Sequence, residues 1–272
     1  MIDLHLHTTA SDGRLAPREL VTLAAASGLR VMAVTDHDTT GAVADVQAAA
    51  REQGLDAVAG IEITAVLDGR DVHMLAYFVD VADDAFQRFL TAQRAARITR
   101  LEAIAERLAE LGVPVRLEAA LKLARLQSSV SVGRPQAARA LVAAGHVKDM
   151  HQAFDRYLGA GRPGFVPRVG PPPVEVIPIV HAAKGLVSIA HPGRTQIDDQ
   201  LPGLRDAGLD AIEAYHSDHD EPTTARYAAL ATELDLLVTG GSDFHDPGSS
   251  VRPGSVTLPW PQWDRLLARR RH

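Results

Sequence analysis

Segments of strand type alternate with segments of helix type along most of this chain, and that alternation restricts the fold more than any other feature. The chain opens with Ile2-Asp3-Leu4-His5-Leu6, in which apolar residues recur at every second position, as in a β-strand. Pro17 then lies near the start of an apolar-periodic helix that ends at Gly28. The continuous apolar run Val31–Val34 follows and is typical of a strand covered on both faces. A repeated strand–helix order predicts a parallel sheet or barrel.

About seven segments have strand character, and one long region between them has none. The strand segments are the opening one and residues 31–34, 57–63, 71–78, 186–190, 211–215 and 236–239. Helical patterns alone fill the region from Asp83 to Pro167, at 83–111, 117–126, 135–144 and 150–158. We therefore predict a barrel formed by residues 1–82 and 168–272, with residues 83–167 as a helical insertion that caps its active site.

Composition excludes several classes of protein. The 272 residues include no cysteine, which excludes disulfides, thiolate zinc sites and thiol nucleophiles. The net charge is −6, so a broad basic surface for duplex DNA is not expected. Only 4% of residues are aromatic, which leaves little surface for stacking a run of nucleic-acid bases. With no leader peptide or membrane-spanning run recognisable, a cytoplasmic location is expected. Any metal must be held by histidine nitrogens and carboxylate oxygens, which suit Mn, Zn or Fe.

Side chains of the metal-ligand type lie at or near the carboxyl ends of the predicted strands. Alternation in the first strand directs His5 and His7 to the same side, and Asp12 follows closely. The later candidates are His37, Glu62, His73, His191, Glu213, His216, Asp243 and His245. Active sites of parallel barrels are built at this rim, because the strand ends converge there. The joint pattern predicts a multinuclear metal site.

Other polar residues have simpler interpretations. Asp36 and Asp38 follow the second strand, and Asp38 in particular is expected to cap the next helix. Three arginines of the long helix are interpreted as a solvated face: Arg94, Arg97 and Arg100. No role is predicted for the histidines on helices, in loops or at the terminus: His146, His151, His181, His219 and His272.

The motifs taken together resemble a known family. In order, they are His5-Leu6-His7 with Asp12, Thr35-Asp36-His37-Asp38, Gly60-Ile61-Glu62, His73, Ala190-His191-Pro192-Gly193 and Ser242-Asp243-Phe244-His245. This set resembles the PHP (polymerase and histidinol phosphatase) metal-dependent phosphoesterases. The helical region resembles the branch containing nucleoside-bisphosphate phosphatases and small-RNA 5′-exonucleases. Its Gly133-Arg134-Pro135 element is similar to that branch's motif, although Gln136 stands where the pattern continues with histidine.

The resemblance implies an α/β fold, a distorted TIM-like (β/α)7 barrel, with two or three divalent metal ions. These are most commonly Mn, with Fe or Zn as alternatives. It implies that one metal is held by four residues: His5, His7, Glu62 and Asp243. Glu62 would bridge to a second metal near His73. Four further residues would complete the cluster: Asp12, His37, His191 and His245.

The predicted activity is hydrolysis of a phosphate monoester by a metal-bridging hydroxide that attacks phosphorus in line. The substrate is expected to be a small nucleotide with two phosphates, such as adenosine 3′,5′-bisphosphate, yielding the 5′-monophosphate and phosphate. The candidate proton donors are His191, His216 and His245, of which His216 is favoured as a histidine not bound to metal. The candidate substrate contacts are Arg134, Arg194, Asp12, His37 and His216.

Three other activities remain open from sequence. A 5′→3′ exoribonuclease acting on short RNA uses the same chemistry at another bond, although the acidic charge and few aromatics favour a small substrate. Histidinol-phosphate phosphatase is a second alternative, which the helical insertion disfavours. The third is a metal-binding domain without catalysis, which the intact ligand motifs disfavour. The sequence predicts no membrane partner and leaves the oligomeric state open.

Overall fold

A computed structural model describes residues 1–271, so that His272 lies outside the described range. Seven strands form one sheet in which each strand pairs with the next in sequence. They are β1 Ile2–Leu6, β2 Val31–Val34, β3 Asp56–Leu67, β4 Arg70–Tyr77, β5 Leu186–Ile189, β6 Ala211–His216 and β7 Leu237–Gly241. A bridge between Leu6 and Phe244 brings the end of β1 to the segment that follows β7, so the sheet nearly closes. The predicted distorted seven-stranded barrel is confirmed.

One part of the sheet departs from the parallel arrangement predicted above. β3 pairs with β4 in an antiparallel hairpin, and β4 also runs antiparallel to β5. The hairpin turns at Asp68-Gly69, where both residues have positive φ (50° and 73°), as a two-residue turn of the Asp-Gly type requires. The prediction that Glu62 ends its strand is therefore wrong, because β3 continues to Leu67. Since β4 starts where β3 ends, its first residues lie at the same rim.

Eleven α-helices are described between residues 1 and 271. They are α1 Pro17–Ala26, α2 Val43–Glu52, α3 Asp84–Glu110, α4 Glu118–Leu126, α5 Arg134–Ala143, α6 Met150–Ala153, α7 Pro173–Ala182, α8 Pro192–Thr195, α9 Leu201–Asp206, α10 Glu221–Glu233 and α11 Trp260–Arg269. A π-helical turn, Phe154–Leu158, continues α6. Sequence analysis did not predict α7, which begins at Pro173, in the first turn, where proline is tolerated. In the described residues, no helix is both long and apolar enough to cross a membrane.

Apolar side chains form three clusters. The largest lies between the sheet and the surrounding helices, and it includes Ile61 and Met74. A second packs α1 and α2 against β2. The third joins α3 to the helices that follow it, with Leu101 and Leu108 on α3 and Leu141 on α5. The helices after β4 therefore bury an apolar cluster of their own.

The arginines of α3 are buried against the barrel, which corrects the solvated-face interpretation. Arg97 donates from Nε to Oδ2 of Asp38, and Arg168 donates to the same oxygen at 2.9 Å. Arg94 donates to the Asp38 carbonyl at 3.1 Å. Burial alone raises the pKa of Asp38, but Arg97 and Arg168 outweigh it and hold that pKa well below its usual range. Asp38 thus ties α3 to the barrel.

Neither aspartate after β2 caps the next helix, so that expectation is wrong. The N-cap of α2 is Ala42, which makes no side-chain capping bond. Asp36 instead accepts hydrogen bonds from the backbone and hydroxyl of Thr8 (2.8 and 2.6 Å) and from the Ser11 hydroxyl (2.7 Å). Asp36 therefore fixes the loop that leads from β1 to Asp12.

Candidate metal centre

The histidines at the end of β1 form the floor of the candidate site. His5 and His7 are both fully buried, and their ring centroids lie 5.2 Å apart. Alternation along the strand directs both rings to the same side. A hydrogen bond from the His7 backbone N–H to the Phe244 carbonyl (3.0 Å) brings the segment after β7, with Asp243 and His245, beside them.

Glu62 lies at the centre of the cluster, and its two carboxylate oxygens face different imidazoles. Oε2 is 3.4 Å from His5 Nε2, 3.3 Å from His7 Nε2 and 3.1 Å from His37 Nδ1. Oε1 is 2.7 Å from His73 Nδ1 and 3.1 Å from His191 Nε2. The Glu62 carboxylate therefore contacts two neighbouring groups of histidines, one through each oxygen.

The electrostatics of Glu62 follow from these contacts. Burial raises its pKa, but the imidazoles of His37, His73 and His5 outweigh burial and hold the pKa well below its ordinary range. Glu62 is therefore an ionised carboxylate, the form that binds a cation.

Two aspartates, Asp243 and Asp12, also lie beside the His5–His7 pair. Asp243 Oδ1 is 3.2 Å from both His5 Nε2 and His7 Nε2. Asp12 lies 3.3 Å from His245 Nε2 through Oδ1 and 3.6 Å from His37 Nε2 through Oδ2. Burial raises the pKa of Asp12, but His245 and His37 lower it well below its ordinary value. Both aspartates thus join the histidines as charged oxygen donors.

Four groups of side chains bring their ligand atoms within 4.8 Å of one another. They are His7-Asp12-His37-His245, His5-His216-Asp243, His5-His7-Glu62 and His37-Glu62-His73. Every residue assigned to a metal from the family resemblance, except His191, belongs to one of these groups. His191 joins the cluster through its contact with Glu62 Oε1.

The ring nitrogens of this cluster fit divalent metal ions. Several are buried and lack a hydrogen-bond partner in residues 1–271: His5 Nε2, both nitrogens of His7, His37 Nδ1, His73 Nδ1 and His191 Nδ1. Buried polar atoms are almost always paired, so a group of unpaired ones requires an explanation. Neutral imidazole nitrogens and carboxylate oxygens are ligands for Mn, Fe and Zn. Divalent cations would satisfy all of these atoms together.

A second layer of carboxylates holds the cluster in place: Glu213, which the sequence placed among the strand-end candidates, and Asp3, which it did not single out. Glu213 Oε1 lies 2.9 Å from His5 Nδ1, and its Oε2 accepts the His191 backbone N–H at 2.8 Å. Asp3 accepts hydrogen bonds from the Ser242 backbone (2.9 Å) and hydroxyl (2.6 Å). Two signals were available: Asp3 shares the strand face of His5, and Glu213 occupies a predicted strand.

His216 lies behind Asp243, away from the cavity. Its side chain is fully buried, and its Nε2 is 3.4 Å from Asp243 Oδ2. The backbone N–H of Asp218 donates to its Nδ1 at 3.0 Å. That bond requires a lone pair on Nδ1, so the neutral ring carries its proton on Nε2, directed at Asp243. This arrangement makes His216 a support for Asp243.

A cavity of about 870 Å³ opens over the cluster. His37, Glu62, His73, His191 and His245 are among the residues that line it. The cavity lining also includes seven arginines: Arg14, Arg97, Arg100, Arg134, Arg139, Arg168 and Arg194. Five of them come from the region between β4 and β5. Arg97 and Arg100 lie on α3, Arg134 and Arg139 lie on α5, and Arg168 follows the π-helical turn.

Two of these arginines share one carboxylate. Arg100 and Arg134 both donate to Asp71 Oδ2, at 2.9 and 3.1 Å. The Nη2 group of Arg100 is buried and has no hydrogen-bond partner in residues 1–271. Burial lowers the pKa of Arg134 to about 10, although Asp71 opposes that shift, so the guanidinium stays charged at neutral pH. Two cations facing one anion leave a net positive charge beside the cluster of candidate metal ligands.

The remaining predicted substrate contact, Arg194, lies at the cavity rim. Its Nη1 is 3.3 Å from Asp218 and 3.9 Å from Asp243, and more than half of its side chain is exposed. Together, the fold and the site define a barrel with a cluster of candidate metal ligands at one rim.

Comparisons with known proteins identify the family. Residues 3–130 match the PHP domain. The chain is 33% identical to a 3′,5′-nucleoside bisphosphate phosphatase of Chromobacterium violaceum, over 98% of this chain and 97% of that protein. It is 32% identical to the 5′-3′ exoribonuclease Rnm of Escherichia coli K12, over 97% of this chain and 94% of that protein.

A solved structure agrees with these sequence matches. A protein from Bifidobacterium adolescentis, described as a metal-dependent phosphoesterase, is 35% identical with a TM-score of 0.90. The match covers 100% of this chain and 96% of that one. The chain belongs to the PHP family of metal-dependent phosphoesterases, and it is a hydrolase of phosphoric esters. The resemblance and the enzyme class predicted from sequence are confirmed.

Proposed function

We propose that this hydrolase removes phosphate from a small nucleotide with two phosphates, most simply a 3′,5′-nucleoside bisphosphate. The observation that carries the proposal is the Arg100–Arg134–Asp71 group, whose excess positive charge lies beside the metal cluster. One phosphate of the substrate binds at the cluster, and the other binds these guanidiniums, which match phosphate oxygens in a bidentate manner. The C. violaceum relative, named for this activity, supports the assignment.

Two or three divalent ions, proposed to be manganese, belong to this site. His5, His7, Glu62 and Asp243 would hold one, and Glu62 would hold a second together with His73 and His191. Asp12, His37 and His7 would hold a third ion, and His245, the fourth member of that group, is left out of the ligand set because it is assigned the proton transfer. When bound, such ions acidify water and neutralise phosphoryl oxygens.

The chain's own residues position the substrate and move the proton. His245 is our choice of proton donor to the leaving oxygen, because a third of its side chain is exposed on the cavity side. His216, favoured from sequence, lies behind Asp243 without exposed surface. His191 borders the cavity but directs Nε2 at Glu62. The helices of residues 83–167 are proposed to cap the cavity and to exclude bulk water and large substrates.

The Glu213 carboxylate offers a first test of the site. Glu213→Gln keeps the shape of the side chain but removes the negative charge that strengthens its hydrogen bond with His5 Nδ1. Loss of a partner that orients a ligand histidine typically costs about 10- to 100-fold in metal affinity. We expect a higher Mn²⁺ concentration at half-maximal activity, measured by metal titration of the apoprotein. Glu233→Gln, at the exposed end of α10, is the matched control, and equal titration curves for the two variants would contradict this role.

The second-phosphate role of Arg134 gives another test. Arg134→Ala should retain its metal and raise the KM for adenosine 3′,5′-bisphosphate about tenfold or more, because one charge-assisted contact is lost. The KM for adenosine 3′-monophosphate should change far less. Arg156→Ala, an exposed arginine of the same helical region, is the control. An unchanged KM for the bisphosphate would show that Arg134 does not bind the second phosphate.

A three-substrate assay tests the proposed function as a whole. Protein loaded with Mn²⁺ is given adenosine 3′,5′-bisphosphate, histidinol phosphate and a short 5′-phosphorylated RNA, and released phosphate and nucleotide are measured. We expect turnover of the bisphosphate to adenosine 5′-monophosphate. Absence of turnover on the bisphosphate by metal-loaded protein would overturn the proposal. A 5′→3′ exoribonuclease is the second candidate, supported by the E. coli relative named for that activity.

A further inference from the structure

Two of the cavity arginines differ from the other five because they form no salt bridge in residues 1–271. The Arg97 and Arg168 guanidiniums pair with Asp38, Arg100 and Arg134 pair with Asp71, and Arg194 approaches Asp218. Arg14 and Arg139 have no such carboxylate partner within the described part of the chain. The side chain of Arg139 donates one hydrogen bond, to the Asp12 carbonyl at 3.0 Å.

These two arginines lie on the side of the metal cluster away from Arg134. Arg134 and Arg139 are five positions apart on α5, so they differ by about 7.5 Å along the helix axis and by about 140° around it. Arg139 contacts the loop of Asp12, and the Arg14 backbone donates to the His245 carbonyl at 2.8 Å. Arg134 instead contacts Asp71, two residues from His73 on β4.

The histidines of the cluster fill the space between the two arginine groups. His73 and His37 have ring centroids 4.9 Å apart, and His37 and His245 have centroids 6.4 Å apart. The cavity therefore presents three positions for anions, one after another across its width. They are Arg100 with Arg134, then the metal cluster, then Arg14 with Arg139. Asp246 also lines the cavity near Arg139, without a salt bridge between them in the described residues.

We propose that Arg14 and Arg139 form a second phosphate subsite, which binds the phosphodiester that follows the scissile bond in an RNA strand. This inference rests on the proposed function. A nucleoside bisphosphate has only two phosphates and fills the first two positions, whereas a 5′-phosphorylated oligoribonucleotide supplies a phosphate for the third. Water adds to the scissile phosphorus, the bond to the 3′-oxygen of the first nucleotide breaks, and that oxygen takes up the proton. The products are a nucleoside 5′-monophosphate and a shortened RNA that carries a 5′-phosphate.

The test compares an RNA and a bisphosphate on the same variants. Wild-type protein, Arg14→Met and Arg139→Met are loaded with Mn²⁺ and assayed on a short 5′-phosphorylated oligoribonucleotide and on adenosine 3′,5′-bisphosphate. We expect the ratio of kcat/KM for RNA to that for the bisphosphate to fall about tenfold in each variant, as loss of one charge-assisted phosphate contact produces. Arg51→Met, which removes an exposed charge from α2, is the control and should leave the ratio unchanged.

Salt dependence separates phosphate binding from a structural effect. Each arginine that contacts a phosphate of single-stranded RNA contributes about 0.7 to the slope of log affinity against log salt concentration. Each substitution should reduce that slope for RNA by about this amount. An equal loss of kcat/KM on both substrates would indicate damage to the Asp12 loop and overturn the subsite, as would an unchanged ratio.

The outcomes also distinguish this inference from the proposed function. If wild-type protein cleaves the bisphosphate but does not cleave RNA, the subsite is wrong and the proposed function stands. If it cleaves neither substrate with metal bound, the proposed function itself is overturned, and the subsite with it.

Discussion

Replacing His7 with alanine is expected to remove metal and activity together. His7 is fully buried, and its Nε2 lies 3.3 Å from Glu62 and 3.2 Å from Asp243, so it belongs to the ligand groups on both sides of the cluster. Loss of a metal that activates the nucleophile and neutralises phosphate removes several kcal/mol of transition-state stabilisation. We expect kcat/KM to fall by about three orders of magnitude or more.

The measurement is metal content per chain alongside phosphate release, with circular dichroism to verify folding. His151→Ala is the matched control, because His151 is exposed on α6 and lies outside the ligand groups. A His7→Ala protein that retains full metal content and near wild-type activity would contradict the assigned ligand set.

The second large effect concerns stability. Asp38→Asn leaves the guanidiniums of Arg97 and Arg168 buried without their carboxylate, and the Arg168 side chain is only 2% exposed. Breaking a buried ion pair in this way typically costs about 3 kcal/mol or more. Asparagine tolerates the positive φ of residue 38 (51°), so the substitution tests charge and leaves backbone preference intact. Urea denaturation should report this loss in the free energy of unfolding.

The pH dependence of that loss has a definite sign. The pKa of Asp38 is depressed in the folded protein, so its contribution to stability is present above the unfolded pKa of about 3.9 and is lost as pH falls. The difference in the free energy of unfolding between wild type and Asp38→Asn should therefore become smaller as the pH is lowered. Asp45→Asn, exposed on α2, is the control. A loss below about 0.5 kcal/mol, the range of ordinary surface substitutions, would show that the ion pair does not stabilise the fold.

Sequence predicted the parts of this protein that depend on local periodicity. The alternation around His5 and His7 identified a strand with both rings on one side, and the apolar run before His37 identified the next strand. Strand ends converge at one rim of a barrel, so the sequence alone predicts that the candidate ligands lie together. The structure brings Glu62 and Asp243 to that rim beside them.

Features that depend on distant contacts could not be predicted in the same way. The polarity of Arg97 indicated a solvated face, but a partner 59 positions away in sequence, Asp38, makes its burial possible. Glu213 contacts His5 across 208 positions, so its place at a strand end made it a candidate, but its partner could not be identified from sequence. The hairpin between β3 and β4 is different, because Asp68-Gly69 is a local turn signal from which an antiparallel pair could have been predicted.

The most direct test of the central claim compares two nucleotides that differ by one phosphate. The values of kcat/KM for adenosine 3′,5′-bisphosphate and adenosine 3′-monophosphate are measured with Mn²⁺-loaded protein. If Arg100 and Arg134 bind the second phosphate beside the metal cluster, the bisphosphate should be preferred about 100-fold, as two charge-assisted contacts imply. Equal values for the two nucleotides would contradict the proposed function.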